Sequence, residues 1–220
     1  MKQIFPGVFS RGKTLLTQNF SPGRKVYGEE LVHFEGKELR VWNAFRSKLG
    51  AAISNGLKEL PLSGGSKVLY LGIAEGTTAS HMSDIMGEKG VIFGVDVAER
   101  TMRKLIEICD FRPNIIPILA DANRPESYAE YLKGHKIDLL YQDIAQKNQA
   151  EIFNRNARMF LRRGSKGLLV IKARSISQKE KADAIFGKET GLLEKEFKIL
   201  QTVNLRPFDK EHAIVLCEKK

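Results

Sequence analysis

Hydrophobic positions recur along this chain in two rhythms. From residue 67 onward, short aliphatic runs stand without polar alternation: "KVLYLG", "GVIFGVD", "NIIPILAD", "IDLLYQD" and "GLLVIKA". Such runs predict strands covered on both faces. The segments between them, "TTASHMSDIMG", "ERTMRKLIEIC", "PESYAEYLKG" and "NQAEIFNRNARMFLRR", carry the spacing of amphipathic helices. Strand–helix alternation implies a parallel sheet with right-handed crossovers. The ending breaks the rhythm. "EFKILQTVNL" and "HAIVLCE" are joined only by "RPFDKE", too short for a crossover helix, so the last strand must run antiparallel to its neighbour.

The first part of the chain reads differently. "QIFPGVF", "TLLTQNF", "LVHFE" and "ELRVW" are β-type runs separated by the turn signals "SRGK", "SPGRKVYG" and "EGK". They predict a small antiparallel module over residues 1–45, too thin in core to stand alone. Residues 46–220 form the second unit. It begins with "SKLGAAISNGLKEL", where Leu49, Ala52, Ile53 and Leu57 make one apolar stripe behind Ser47 at an N-cap position. A mostly parallel seven-stranded α/β sheet with one antiparallel strand is the Rossmann-like layout of class I methyltransferases.

Composition narrows the partners. The chain has 220 residues, 42% of them hydrophobic, enough for one sizeable core. Lys and Arg outnumber Asp and Glu by 36 to 26, a net charge of +10 that favours a polyanion. Nothing approaches the ~20 apolar residues of a membrane span. "MKQIFPGVFS" is interrupted by Pro6 and Gly7 and has no secretory apolar region, which places the protein in the cytoplasm. Cys109 and Cys217 lie far apart and the four histidines show no zinc spacing, so no metal is expected.

In open α/β sheets ligands bind beyond the carboxyl ends of the strands, and here each strand ends in something telling. After "LYLG", Gly72 and Gly76 flank a turn whose following Thr77 and Thr78 offer hydroxyls and free N–H groups. It is not GxGxxG, which disfavours a pyrophosphate and hence a nicotinamide dehydrogenase. Asp96 ends the second strand a little over ~20 residues later, where such folds place an acid on a ribose diol. "LADAN" offers Asp121 to an exocyclic amine and the Ala122 backbone to a purine edge. Acids at strand ends suggest an adenosine ligand without phosphate, and S-adenosylmethionine fits, its sulfonium cation included. Asp143 ends "LLYQD" where methyl donor and acceptor would meet. Lys172 ends "LLVIKA" within reach of Asp143, as a structural ion pair or as an acid–base pair.

At this point six motifs in order, "WNAFRSKLGAAI", "YLGIAEGTTASHMSDI", "DANRPESY", "YQDIAQ", "LLVIKARSI" and "PFDKEHAIVL", resemble fibrillarin, the RNA-guided 2′-O-ribose methyltransferase family, in its archaeal branch. The resemblance implies a catalytic set of Lys48, Asp143, Lys172 and His212. It implies donor-binding roles for Gly72, Ala74, Thr77, Thr78, Asp96, Asp121, Ala122 and Gln146, and Val97 stands where an aromatic commonly faces the adenine. It also implies a box C/D ribonucleoprotein containing a guide RNA, target rRNA or tRNA, a Nop-domain scaffold and a kink-turn-binding ribosomal-type protein. Spacing alone would have selected neither Lys48 nor His212. Glu75 stands in the donor turn where the family usually has a small residue, and Phe208 where Tyr is frequent.

The expected reaction is attack by a ribose 2′-oxygen on the donor methyl group, with Asp143 taking the proton and Lys48 and Lys172 fixing Asp143. A lysine of depressed proton affinity is the other candidate base. Arg46, Arg174 and a helix carrying Arg155, Arg158, Arg162 and Arg163 are candidates for RNA backbone contact. Strand alternation would put Arg174 on Lys172's side. The competing functions are a methyltransferase acting alone on RNA or on a protein side chain, and a donor-binding scaffold subunit without catalysis.

Overall fold

The computed structural model describes residues 1–220. The N-terminal part is a five-stranded antiparallel sheet of β1 (Lys2–Phe5), β2 (Val8–Arg11), β3 (Thr14–Gln18), β4 (Leu31–Phe34) and β5 (Lys37–Trp42), in the order β1-β2-β3-β5-β4. "QIFPGVF", which reads as one run, is a hairpin. Pro6 cannot donate to a ladder and Gly7 turns the chain at φ +74°.

A 3₁₀ turn (Ala44–Arg46) leads into α1 (Lys48–Ser54), whose start is fixed by Ser47, the hydroxyl of which accepts the Gly50 N–H. There follow β6 (Lys67–Leu71), α2 (Thr77–Met86), β7 (Val91–Asp96), α3 (Glu99–Cys109), β8 (Ile115–Leu119), β9 (Ile137–Gln142), α4 (Gln149–Phe160), β10 (Leu161–Lys172), α5 (Ala173–Ile176), α6 (Ala182–Leu193), β11 (Phe197–Asn204) and β12 (His212–Lys219). No helix is long and apolar enough to cross a membrane.

The second sheet has seven strands in the order β11-β12-β10-β9-β6-β7-β8. Six run in the same direction, and β12 alone is reversed, antiparallel to both β10 and β11, as the short "RPFDKE" connection requires. Both faces are buried. Val68, Tyr70, Leu168 and Val170 pack on one side, while Leu69, Leu71, Leu169 and Ile171 pack on the other. The first of these cores continues without a break into Val8, Leu15 and Trp42 of the N-terminal sheet.

Three elements depart from expectation. "PESYAEYLKG" winds as a 3₁₀ stretch over Pro125–Leu132. The helix over residues 182–193 has no clear apolar stripe, being interrupted by Gly187 and Gly191, and its pattern gave no warning. The helix expected to run through Arg163 stops at Phe160, so Arg162 and Arg163 open β10 instead.

A charged joint ties the N-terminal sheet to the rest. The fully buried Arg40 on β5 donates to Glu29 at 2.6 Å and to Asp84 of α2 at 2.8 Å, and Arg112 reaches Asp84 at 2.6 Å. Two carboxylates and two guanidiniums balance, which is what buried charge demands; removing one member of such a set costs about 3–5 kcal/mol. Thr17 Oγ1 donates to Asp84 at 2.7 Å, so toward His81 it must accept, and His81 carries its proton on Nδ1. His81 Nε2 then accepts from the Tyr27 hydroxyl at 2.7 Å, and Trp42 stacks on the imidazole at 4.8 Å. Burial, with Arg40 and Arg112 adding to it, holds the His81 pKa well below the ordinary histidine value.

Candidate active site

The carboxyl ends of the parallel strands meet on one edge of the large sheet. Strand order reverses between β6 and β9, and a crevice opens at such a switch point. A cavity of about 310 Å³ occupies it. Its lining joins Gly72 and Ala74 after β6, Asp96 and Val97 at β7, Asp121 and Ala122 after β8, Asp143 and Gln146 after β9, and Lys172 at the end of β10. Gly72 takes φ +79°, and a Cβ there would lie 2.7 Å from the Asp143 carbonyl oxygen. The turn therefore admits no side chain.

Asp96 shapes this crevice as well as lining it. Its two oxygens accept the N–H groups of Ala74 and Ala98, each at 2.9 Å, which helps hold Ala74 at φ +51°. Each oxygen retains a further lone pair for a ligand hydroxyl. Asp121 accepts both the backbone and side-chain N–H of Asn123, and the backbone bond is the main reason its pKa lies below the usual carboxylate range. Thr77 and Thr78 begin α2 outside the cavity lining, and the buried Thr78 hydroxyl meets Ser47 Oγ at 2.9 Å. Glu75 in the same turn pairs with Lys104 of α3 at 2.6 Å, both half exposed.

At the end of the cavity stands a charged cluster. Lys48 Nζ lies 3.1 Å from Asp143 Oδ2, and Lys172 Nζ lies 2.8 Å from Oδ1 and 2.9 Å from the Asp143 carbonyl oxygen. The ammonium of Lys172 directs its hydrogen bond at that carbonyl; its approach to Oδ1 is an ion-pair contact rather than an aligned hydrogen bond. Oδ1 is closed off from solvent, leaving Oδ2 as the oxygen an incoming hydroxyl can reach. Strand register supplies the fourth member, because Lys172 on β10 is paired with His212 on β12. His212 Nδ1 is held by the Asp209 carboxylate. Burial drives its pKa below the ordinary histidine value, opposed by Asp209 and assisted by Lys48.

The residues that hold this cluster were not visible in the sequence. Buried Gln149 accepts the Lys172 N–H at 2.8 Å and donates to the Lys172 carbonyl at 3.2 Å, thereby clamping the backbone that carries the cation. Gln142, buried in β9, donates to the Gln149 carbonyl at 2.8 Å. A glutamine inside an aliphatic strand was the one available signal. Beneath Asp143, the rings of Tyr70 and Tyr141 meet edge to face at 4.5 Å, and burial above all keeps both phenols protonated.

The arginines separate. Arg46 is exposed beside Lys48, its guanidinium 5.0 Å from the Tyr27 ring centroid and donating to the Tyr27 carbonyl at 3.1 Å. β10 ends at Lys172 and the chain coils into α5, so alternation does not carry Arg174 to the side of Lys172. Arg174 donates instead to Glu211 at 2.6 Å and to the Gln178 carbonyl at 2.8 Å. Arg155 donates to the Asn123 carbonyl and Arg158 pairs with Glu196. With Arg162 and Arg163 on β10, these four make no continuous helical face.

One antiparallel strand in an otherwise parallel seven-stranded sheet, with an acid-lined crevice at the switch point, defines a class I methyltransferase. The family model for fibrillarin matches residues 1–220, and the chain belongs to the fibrillarin family. It is 45% identical to the fibrillarin-like rRNA/tRNA 2′-O-methyltransferase of Thermococcus onnurineus, over 99% of this chain and 98% of that protein. Its fold matches Aeropyrum pernix fibrillarin, solved with natively bound S-adenosyl-L-methionine, with a TM-score of 0.86 and 48% identity over 93% of this chain and 88% of the other. A chain of a fibrillarin/Nop5p complex matches with a TM-score of 0.90 and 38% identity, covering 100% of both.

Proposed function

We propose that this protein is the catalytic subunit of a cytoplasmic box C/D ribonucleoprotein and methylates ribose 2′-oxygens of rRNA and tRNA, with a guide RNA choosing the position. The observation that carries this reading is the Lys48–Asp143–Lys172 cluster at the end of the crevice, in a chain of the fibrillarin family. The particle's other members are a Nop-domain scaffold, which the fibrillarin/Nop5p likeness supports, and a kink-turn-binding ribosomal-type protein.

The crevice suits S-adenosylmethionine. About 310 Å³ falls within the range of small-ligand sites, roughly 300–1,000 Å³, and the side-chain-free Gly72 turn leaves room for close approach. Asp96 would take the ribose diol, Asp121 and Ala122 the adenine, and Gly72, Ala74, Thr77, Thr78 and Gln146 the amino-acid end, with Val97 against the base. Bound there, S-adenosylmethionine supplies a methyl group activated by a sulfonium cation.

The protein's own task is the proton. A ribose hydroxyl is a weak nucleophile near neutral pH, so its proton must leave as the new bond forms. Asp143 Oδ2 accepts it. Lys48 and Lys172 hold the carboxylate from both sides and stabilise negative charge developing on the ribose oxygen. His212, kept neutral by burial, completes the wall without adding a third positive charge. Arg46 and Arg174 contact the RNA backbone, a role that asks for charge rather than sequence readout.

Single-turnover methylation in the assembled particle tests this. Wild type modifies one ribose when the guide matches and none when it does not. Asp143→Ala and Lys172→Ala slow transfer by roughly 10²–10⁴-fold while donor affinity survives. Methylation independent of the guide, or loss of donor binding in both variants, would sink the proposal.

A further inference from the structure

Phe45 is a large apolar ring left in water. It is 70% exposed, more than any other large hydrophobic side chain of the protein. Its place is nevertheless rigid. The Asn43 side chain accepts the Phe45 N–H at 2.9 Å, Arg46 is tied to Tyr27, and Ser47 caps α1 directly afterwards. The ring packs edge to face on Phe208, with centroids 5.0 Å apart and planes at 66°. Phe208 adjoins Asp209, the residue that holds His212, and Phe45 lies three positions before Lys48. The aromatic pair thus bridges the two segments that bring Lys48 and His212 to Asp143. Arg46, next to Phe45, and Lys210, two residues after Phe208, are both exposed.

We propose that the Phe45–Phe208 pair is a docking ledge for substrate RNA, in which the open face of Phe45 packs against the sugar–base surface of a nucleotide flanking the methylated one. The inference rests on the guided ribose-methylation reading and adds to it the contact that sets how the strand sits over Asp143. A guide–target duplex is A-form, with a wide, shallow minor groove that displays its 2′-hydroxyls and the C–H faces of its riboses. A protruding flat ring can rest in such a groove, where a recessed carboxylate cannot reach alone. The exposed cations near each ring favour a polyanionic strand. Aromatic contact of this kind is indifferent to sequence, which suits a protein whose target is chosen by base pairing.

The test replaces Phe45 by p-benzoylphenylalanine in the assembled particle and maps photo-crosslinks, alongside kinetics of Phe45→Leu and Phe45→Tyr. The expected crosslink falls on the substrate strand within two nucleotides of the methylated ribose. Phe45→Leu raises KM for substrate RNA on the order of tenfold, Phe45→Tyr restores it, and S-adenosylmethionine affinity is unchanged in both. Crosslinking to the scaffold protein alone would make the ring a protein contact and overturn the proposal. An unchanged KM in Phe45→Leu overturns it too, as does a loss of donor affinity, which marks a structural role. Wild-type particles methylating the guided site in the same experiment keep the functional reading separate from this one.

Discussion

Lys172 grips Asp143 at two points, its ammonium 2.8 Å from a carboxylate oxygen and 2.9 Å from the backbone carbonyl of the same residue. The double contact fixes where the acid sits as well as its charge. Lys172 is in turn held by Gln149, which both accepts from and donates to its backbone. Gln149→Leu removes those bonds and leaves the Lys172 N–H unpaired. We expect kcat for guided methylation to fall roughly tenfold, about 1.4 kcal/mol of transition-state stabilisation, with the S-adenosylmethionine Kd unchanged by calorimetry. Gln149→Glu keeps the acceptor and should recover part of the loss.

His212 gives a pH signature. Burial lowers its pKa below the ordinary value of 6.5, so it remains neutral at pH 6.5 and gains its proton only in more acidic solution. A proton there would stand beside Lys48 and Lys172 and draw Asp143 away from its role as acceptor. The acid limb of kcat/KM should lie below pH 6.5, and His212→Gln should remove it. An identical limb in His212→Gln would assign it to another group.

Glu75 follows the cavity-lining Ala74 without lining the crevice itself, and Lys104 offsets its negative charge beside the donor turn. Both groups are half exposed, where an ion pair contributes at most about 1 kcal/mol. Lys104→Met should therefore weaken S-adenosylmethionine binding by up to about fivefold. The double variant Lys104→Met/Glu75→Gln should return to the wild-type Kd. Equal weakening in the single and double variants would show that Lys104 acts without Glu75.

His81 links stability to acidity. In the folded protein its pKa is far below 6.5, whereas in the unfolded chain it binds a proton once the pH drops below that value. The unfolded state then holds more protons, so stability rises with pH in that window and is lost on acidification below pH 6.5. The slope approaches about 1.4 kcal/mol per pH unit. Denaturant midpoints measured from pH 7.5 down to pH 5 on the His212→Gln background isolate it, because His212 shifts in the same direction.

Residues at the ends of strands were legible because a buried aliphatic run that stops at Asp96, Asp143 or Lys172 states both where the strand ends and what it delivers. Lys48 and His212 were not legible in that way. One sits on a short helix and the other begins a strand, and only register and a motif set identify them. Arg40 and Arg112 escaped notice because their partners, Glu29 and Asp84, are distant in sequence, and a buried ion network leaves no local pattern. Gln149 was hidden for the same reason. The displaced Arg162 and Arg163 show the converse. Helical spacing continues in the sequence past Phe160, where the chain is already a strand.

The joint built from Glu29, Arg40, Asp84 and Arg112 has a consequence for how this chain can change over time. Asp84 answers to two arginines from different segments, and His81 beside it is satisfied only by Thr17 and Tyr27. Replacing residues 1–45 by a segment without an arginine at position 40 or a carboxylate at position 29, while keeping α2, would bury unbalanced charge. The front of the protein and α2 are therefore one unit of charge balance, and a substitution in either is felt by the other.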